Sequence, residues 1–441
     1  MNYPLDTRSH NTVSNSAALL QWGDADTDGA NPDLGLRVVR RAQNHLDFSL
    51  FGPLVRNVDG LLAGSSERSA NEVFARCDDC RTAWMQAVVD ATRRMTDPET
   101  QKEKFAHPFQ DAWNHADDPE LLAAAAPRLA LAGDRLFNAI FEAKADAGLA
   151  EIAGTLRTML ATRSCHVAIT SSDLFVPWGM LYTHPVPGER LAPDGANWRR
   201  EGFWGYRHLV HQNTARLSAK AERLDPAASA LLSVNFDDRL AVDLKLPVID
   251  THIRSIAELV AEPRIRRTRK AELALGFTSG RESLERILYF YCHGRGAGAD
   301  STRPVEPHLI LGDGDEVKAA DFEYWSDGDK PLPTNPLIFI NACQGGQMQT
   351  LFYQSFAVTL LGQGATGLIG AQIDVPAVFA AEYAERVFRA FFERGERPVR
   401  MGPLLLQVNR ALWDDHRNPL GLVYSLYRGA NCFIDWRSKA G

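Results

Sequence analysis

Two residues capable of covalent chemistry stand at the ends of two apolar runs. Ile287-Leu288-Tyr289-Phe290-Tyr291-Cys292 finishes in His293-Gly294, and Leu337-Ile338-Phe339-Ile340 finishes in Asn341-Ala342-Cys343-Gln344-Gly345-Gly346. If these runs are neighbouring strands, an imidazole meets a thiol at one end of a sheet, where a base can hold the sulfur as its nucleophilic thiolate. The adjoining glycines let a substrate carbonyl approach backbone N–H groups able to hold an oxyanion. Cys292 is a rival nucleophile by position alone. Strand alternation sends its side chain to the opposite face from His293, which makes it a core residue.

The elements that must position this pair form an alternating series. Short apolar runs at 166–170, 230–236, 287–292, 336–342 and 367–372 read as strands, with helical stretches at 249–261, 351–361 and 378–393 among them. Strand, helix, strand, helix is an α/β pattern with a sheet mostly parallel in its core and flanked by helices. Runs such as Leu337-Ile338-Phe339-Ile340 fit strands covered on both faces, and sites in such sheets gather at the strands' carboxyl ends. The first third reads as mostly helical. Val73, Cys77, Cys80, Trp84, Ala87 and Ala91 share one face of a helix within 67–95, and a second helical block spans 119–160 with breaks at Pro127 and Gly133. Residues 1–66, rich in Asn, Asp, Gly and Ser, read as loops and short elements. The expected division is an N-terminal region, 1–119, and a second unit, 120–441.

Composition removes several classes. The chain has 441 residues, 45% of them hydrophobic and 23% charged, the balance of a globular protein rather than a disordered or fibrous one. Lys and Arg number 48 against 55 Asp and Glu, a net charge of −7, so no electrostatic footprint for direct nucleic-acid or anionic-membrane binding is expected. No signal-peptide pattern and no spanning apolar run are evident, and six scattered cysteines do not make a disulfide framework, so a reducing cytoplasm is the expected compartment. The basic run Arg264, Arg266, Arg267, Arg269, Lys270 reads as a solvated connector.

With these motifs the sequence resembles the caspase-like cysteine proteases, and within them the CHAT-domain branch found in bacteria. The separation of 343 − 293 = 50 residues fits the spacing of about 50 between a caspase-type His and its Cys. The resemblance also rests on Val176-Pro177-Trp178-Gly179-Met180-Leu181, on Phe203-Trp204-Gly205-Tyr206-Arg207, and on strand-His293-Gly294 followed by strand-Asn341-Ala342-Cys343-Gln344-Gly345. It covers about residues 120–441. The chain departs from the pattern in carrying Gly179 where that family usually has Glu, and Asn341 where caspases carry Gln. The resemblance implies Cys343 as nucleophile, His293 as proton carrier, and an oxyanion hole from the N–H groups of Gly294 and Cys343, with no cofactor and no metal. It also implies limited cleavage of a protein partner, in an antiphage or cell-death setting, under the control of a protein activator or sensor. The alternative is a catalytically silent scaffold acting through protein–protein contacts, which would need neither His293 nor Cys343.

Other constellations fare worse. Gly294-Arg295-Gly296-Ala297-Gly298-Ala299 has the form of a dinucleotide loop, but two prolines soon follow where a helix should open. Cys77-Asp78-Asp79-Cys80 lacks the other half of a zinc site and lies on an apolar helix face. No His-Glu-x-x-His and no Gly-x-Ser-x-Gly occurs. For selectivity, Asp374, just past the run at 367–372, is a candidate carboxylate for a basic substrate side chain, with Asp173 and Asp313 on loops that could reach the same pocket.

Overall fold

The computed structural model describes residues 31–41, 44–55, 60–96, 103–142, 145–214, 222–226, 230–260, 264–278, 285–295, 306–326, 332, 334–342 and 350–437. Three strands open the described chain: β1 (Leu34–Arg40), β2 (His45–Phe51) and β3 (Leu61–Ser69). The longer helices α1 (Ala70–Trp84), α2 (Pro119–Phe141) and α3 (Ala147–Thr162) follow. Next come β4 (His166–Thr170), β5 (Leu209–Asn213), β6 (Leu232–Phe236), α4 (Val248–Glu258), β7 (Ile265–Arg267), α5 (Lys270–Thr278) and β8 (Ile287–Arg295). The chain continues through β9 (His308–Ile310), β10 (Glu316–Lys318), α6 (Ala319–Trp325), β11 (Leu337–Ala342), α7 (Thr350–Gly362) and β12 (Gly367–Ala371). It then runs through α8 (Ala377–Phe391), α9 (Met401–His416) and β13 (Tyr424–Tyr427).

The thirteen strands make one sheet in the order β7-β6-β8-β11-β12-β13-β5-β4-β1-β2-β3, with β9 pairing β8 and β10 pairing β9. From β7 to β12 all pairings are parallel. β13 runs antiparallel to β12, and β5, β4 and β1 follow the direction of β13. The sheet therefore has two blocks of opposite polarity. The carboxyl ends of β6, β8, β11 and β12 share one rim, and those of β13, β5, β4 and β1 lie on the other. Alternation along β8 and β11 sorts the core cleanly. Tyr289, Tyr291, Leu337 and Phe339 pack with α4, α8 and α9 on one face, whereas Leu288, Phe290, Cys292, Ile338 and Ile340 pack with α5, α6 and α7 on the other.

The five strands read from sequence are present to within two or three residues of their ends, because their β-branched and aromatic content matches burial on both faces. The N-terminal part departs from its mostly helical reading. β1 pairs parallel with β4, so the sheet runs across residue 119/120, and α1 packs on α2. Helix α1 starts at a capping box, where Ser69 and Glu72 satisfy each other's backbone N–H groups, and its face Val73, Cys77, Cys80, Trp84 is fully buried. It gives way to a π-helical turn at Met85–Val89 instead of continuing to Met95. Helix α2 passes through Pro127 and Gly133 without a break. Gly133 has a packing role: a Cβ there would collide with the Met180 carbonyl. The basic run is no solvated connector either, since Ile265–Arg267 is the edge strand β7, and buried Arg267 forms a two-pronged ion pair with buried Glu285.

Candidate active site

His293 lies in β8, half-buried, at the rim where the parallel block ends. The registers fix its surroundings. Tyr291 pairs with Phe236 on one side and Asn341 on the other, and the last β8–β11 pair is Cys292 with Ala342. Beyond that point β8 turns to a new partner, with His293 opposite Ile310 and Gly294 opposite Leu309 of antiparallel β9. Gly294 and Arg295 are thus strand residues, and the dinucleotide form fails at its first glycine. Cys343, the expected nucleophile and second oxyanion donor, lies outside the described residues, as do Gly345, Gly346 and residues 296–305.

A chain of buried polar groups underlies this rim on the α8 face. Asn341 donates from Nδ2 to Ala380 O (2.6 Å) and to Tyr289 Oη (3.2 Å), and accepts from Tyr424 Oη at 2.7 Å. Tyr289 Oη is in turn 2.9 Å from His252 Nε2. His252 Nδ1 is 3.9 Å from Glu385 Oε2, beyond hydrogen-bond distance. Burial holds His252 below its ordinary pKa, and Glu385, drawn by His252, Arg389 and Ser255, is pulled down to about 2. Asn341, which stands where caspases carry Gln, therefore anchors the end of the strand that leads into Cys343. Tyr291 Oη adds a bond to Ala377 O at 2.9 Å.

The three candidate selectivity acids end up in different places. Asp374 lies three residues past β12 on the His293 rim, half-buried. Asp313 sits between β9 and β10 with φ 56° and ion-pairs Arg269 at 2.6 Å, most of its side chain exposed. Asp173 follows β4, which belongs to the reversed block, so it stands on the opposite rim and accepts from the Arg40 N–H. The structure does not bring Asp173 to this site. An acid not singled out in the sequence does reach it: Asp237, directly after β6, lines a cleft of ≈ 310 Å³ together with His293, Arg239, Asp243, Arg295 and Glu316. Its signal was available, as a carboxylate at the carboxyl end of a strand adjacent to the His strand. Arg81 of α1 was also missed. Its guanidinium, buried, donates to Gln372 Oε1 at 2.8 Å, and Gln372 donates to Tyr427 Oη at 2.6 Å, so the N-terminal region touches the segment that leads to Asp374.

The remaining chemistry-bearing motifs are structural. Cys292 is fully buried, as strand alternation requires. Cys77 and Cys80 are buried thiols whose pKa values burial raises, that of Cys77 to about 12, which leaves neither a ready thiolate. Among the described residues no three His, Cys, Asp or Glu side chains converge as a metal set, and no helix is long and apolar enough to cross a membrane. The Gly179 departure has a steric cause: a Cβ there would lie 2.5 Å from the Leu422 carbonyl, so this backbone contact excludes any side chain.

No family model matches the chain. A probable protease from Vitiosangium sp. (strain GDMCC 1.1324) is 26% identical over 239 residues, 51% of this chain and 29% of that protein, so the chain spans less than a third of that relative's length. Among solved structures, the Saccharomyces cerevisiae separase–securin complex aligns over 96% of this chain and 31% of its own, at 10% identity and a TM-score of 0.46. The complex of the Porphyromonas gingivalis RgpB pro- and mature domains aligns over 70% of this chain and 71% of its own, at 9% identity and a TM-score of 0.36.

Proposed function

We propose that this chain is a caspase-like cysteine endopeptidase with His293 as proton carrier and Cys343 as nucleophile. The observation that carries the reading is the strand register: the parallel pairing of β8 and β11 closes with Cys292 opposite Ala342, and the next residue in each strand's sequence is His293 and Cys343. The relative from Vitiosangium, a probable protease, supports the same class of chemistry.

In this mechanism the Cys343 thiolate attacks the scissile carbonyl carbon, and the tetrahedral oxyanion is held by the N–H groups of Gly294 and Cys343. Collapse breaks the C–N bond as His293 gives its proton to the leaving amine. Water, giving a proton to His293, then attacks the thioester, which releases the acid and returns the thiol–imidazole pair. Asp374 holds a basic side chain of the substrate, Arg or Lys at P1, by a charge-assisted hydrogen bond. Limited cleavage of a protein partner, in a bacterial defence or cell-death setting and under the control of an activator, extends this reading on the strength of the CHAT-domain resemblance.

The test is turnover of fluorogenic peptides with varied P1 by the full chain. Cys343→Ala and His293→Ala should each remove cleavage, and Cys343→Ala should leave the melting temperature nearly unchanged, because a cleft nucleophile contributes little packing. Cleavage that survives Cys343→Ala ends the cysteine-peptidase reading, and no cleavage of any peptide or of a denatured protein substrate returns the chain to the scaffold class.

A further inference from the structure

We infer that a cleft lined by Arg199, Arg207 and Arg410 is an exosite, which docks an acidic segment of the protein substrate at a distance from the scissile bond. The inference rests on the peptidase reading. The cleft measures ≈ 480 Å³, a space of roughly sixteen waters and enough for more than one side chain. Its one acidic lining residue, Glu201, is already paired with Arg200 at 3.0 Å. Arg199, exposed, and Arg207, half-buried, carry no ion pair among the described residues.

Arg410 of α9 is held in place without being neutralised. Its Nε donates to Tyr206 O at 2.8 Å and its Nη2 to Arg207 O at 2.9 Å, and its guanidinium stands 6.0 Å from the centre of the Tyr206 ring. Backbone carbonyls fix the plane of the group but carry no net charge, so a full positive charge stays at the cleft in a preset orientation. The buried imidazole of His208 registers this field: burial first, and then Arg207 and Arg410, push its pKa down to about 3. The Tyr206 hydroxyl is committed to Asp414 at 3.0 Å. An incoming anion therefore meets guanidinium donors. A carboxylate answers them well, since a guanidinium can meet it with two parallel N–H bonds.

The location points to substrate. Arg207 precedes β5, and Ser164, which also lines the cleft, precedes β4. The amino ends of these two strands share the rim that carries His293, because β13 reverses direction and β5 and β4 follow it. β5 stands four places from β8 in the sheet, so strand spacings of about 4.8 Å put roughly 19 Å between them. That is beyond the side chains flanking a cleaved bond, yet within reach of the same polypeptide at about 3.3 Å per extended residue. A segment docked there raises the effective concentration of the scissile bond at His293 without touching the reacting atoms. The chain as a whole carries −7, but charges more than about 8 Å apart are largely screened at physiological salt, so an acidic segment at the cleft feels the local arginines. Three cations in one cleft do not make the basic stripe that a nucleic-acid backbone follows.

The experiment compares long peptides that share one cleavage site and carry a short tract of Glu, or of Gln, at varied distances on either side of it. With the wild-type chain the Glu tract is expected to lower KM roughly tenfold relative to Gln at one placement, with kcat the same for both peptides. Arg199→Gln combined with Arg207→Gln should erase most of that advantage, and Arg410→Met should reduce it. An undiminished Glu advantage in the double variant, or none at any placement with wild type, overturns the inference. If wild type cleaves no peptide, the peptidase reading fails separately. The affinity of the labelled Glu-tract peptide for the full chain carrying Cys343→Ala, read by fluorescence anisotropy, then decides the exosite by itself. Roughly tenfold weaker binding with the double substitution supports it, and equal binding overturns it. An oligonucleotide of equal charge that displaces the labelled peptide at lower concentration than the unlabelled peptide does also overturns it.

Discussion

Replacing Arg81 by Met tests how firmly the N-terminal helix α1 is tied to the rim of the sheet. The substitution keeps most of the apolar stem and removes the guanidinium. The bonds to Asp78 and Gln372 go with it. The ion pair to Asp78 at 3.0 Å has its acid partner 49% exposed, and such pairs contribute about 0–1 kcal/mol. The bond to Gln372 matters more, because its loss leaves Gln372 Oε1 buried without that donor, at a cost of about 1–3 kcal/mol. The expected outcome is destabilisation of about 1–3 kcal/mol, read from the denaturant midpoint followed by tryptophan fluorescence. Gln372→Met alone should also destabilise, since it removes the acceptor of an Arg81 N–H and the donor to Tyr427 Oη. The double variant should lose less than the sum of the two by about 1 kcal/mol or more, because both ends of the bond are then gone. Additivity within about 0.5 kcal/mol, or a wild-type midpoint for Arg81→Met, would refute the claim that this contact is a structural tie.

Four further outcomes are expected. Gly179→Ala should destabilise by about 1–3 kcal/mol, since its Cβ meets the Leu422 backbone and has nowhere to move; thermal melting checks this. Burial depresses His208 to about 3 and lowers His252, so the unfolded chain takes up protons near pH 6.5 that the folded chain refuses; stability should fall as pH drops below about 6.5, and His208→Gln should make that decline shallower in denaturant titrations at pH 7.5 and 5. Glu385, held at about 2, contributes stability present above its unfolded value near 4.5 and lost as pH falls toward 2; Glu385→Gln should flatten that lower part of the acid limb. A chain started at Pro119 should be insoluble or molten, because it exposes β4 along the edge left by β1 and bares the face of α2 that α1 covers; a soluble, cooperatively melting fragment would contradict this.

How much of this was legible follows from what each signal depends on. The parallel block was readable because strands buried on both faces are continuous apolar runs, such as Leu337–Ile340, rich in the β-branched and aromatic residues that favour strands. The β1–β3 edge was hidden because its strands mix Arg, Ser and Gly with apolar residues, and their identity depends on a pairing with β4 more than a hundred residues away. Pro127 misled for a related reason: packing of the α2 face against the sheet overrides a local breaker. At the site, His293 could be placed from its strand end alone. Asp173 could not be assigned to a rim without strand direction, since the reversal at β13 is written in long-range pairing and not in the local sequence. Asp237 needed only the rule already applied to His293, extended to the neighbouring strand.

The reversal of polarity at β13 also decides where this molecule can be handled. Everything argued about reactivity gathers on one rim, while the turn after β4 opens on the other, a strand's length of about 17 Å away. A fluorophore, affinity handle or surface anchor attached near Asp173 would leave the His293 cleft facing away from the attachment point. The same separation lets the two rims be altered independently, so sequence change at the turn after β4 need not register in substrate choice at all.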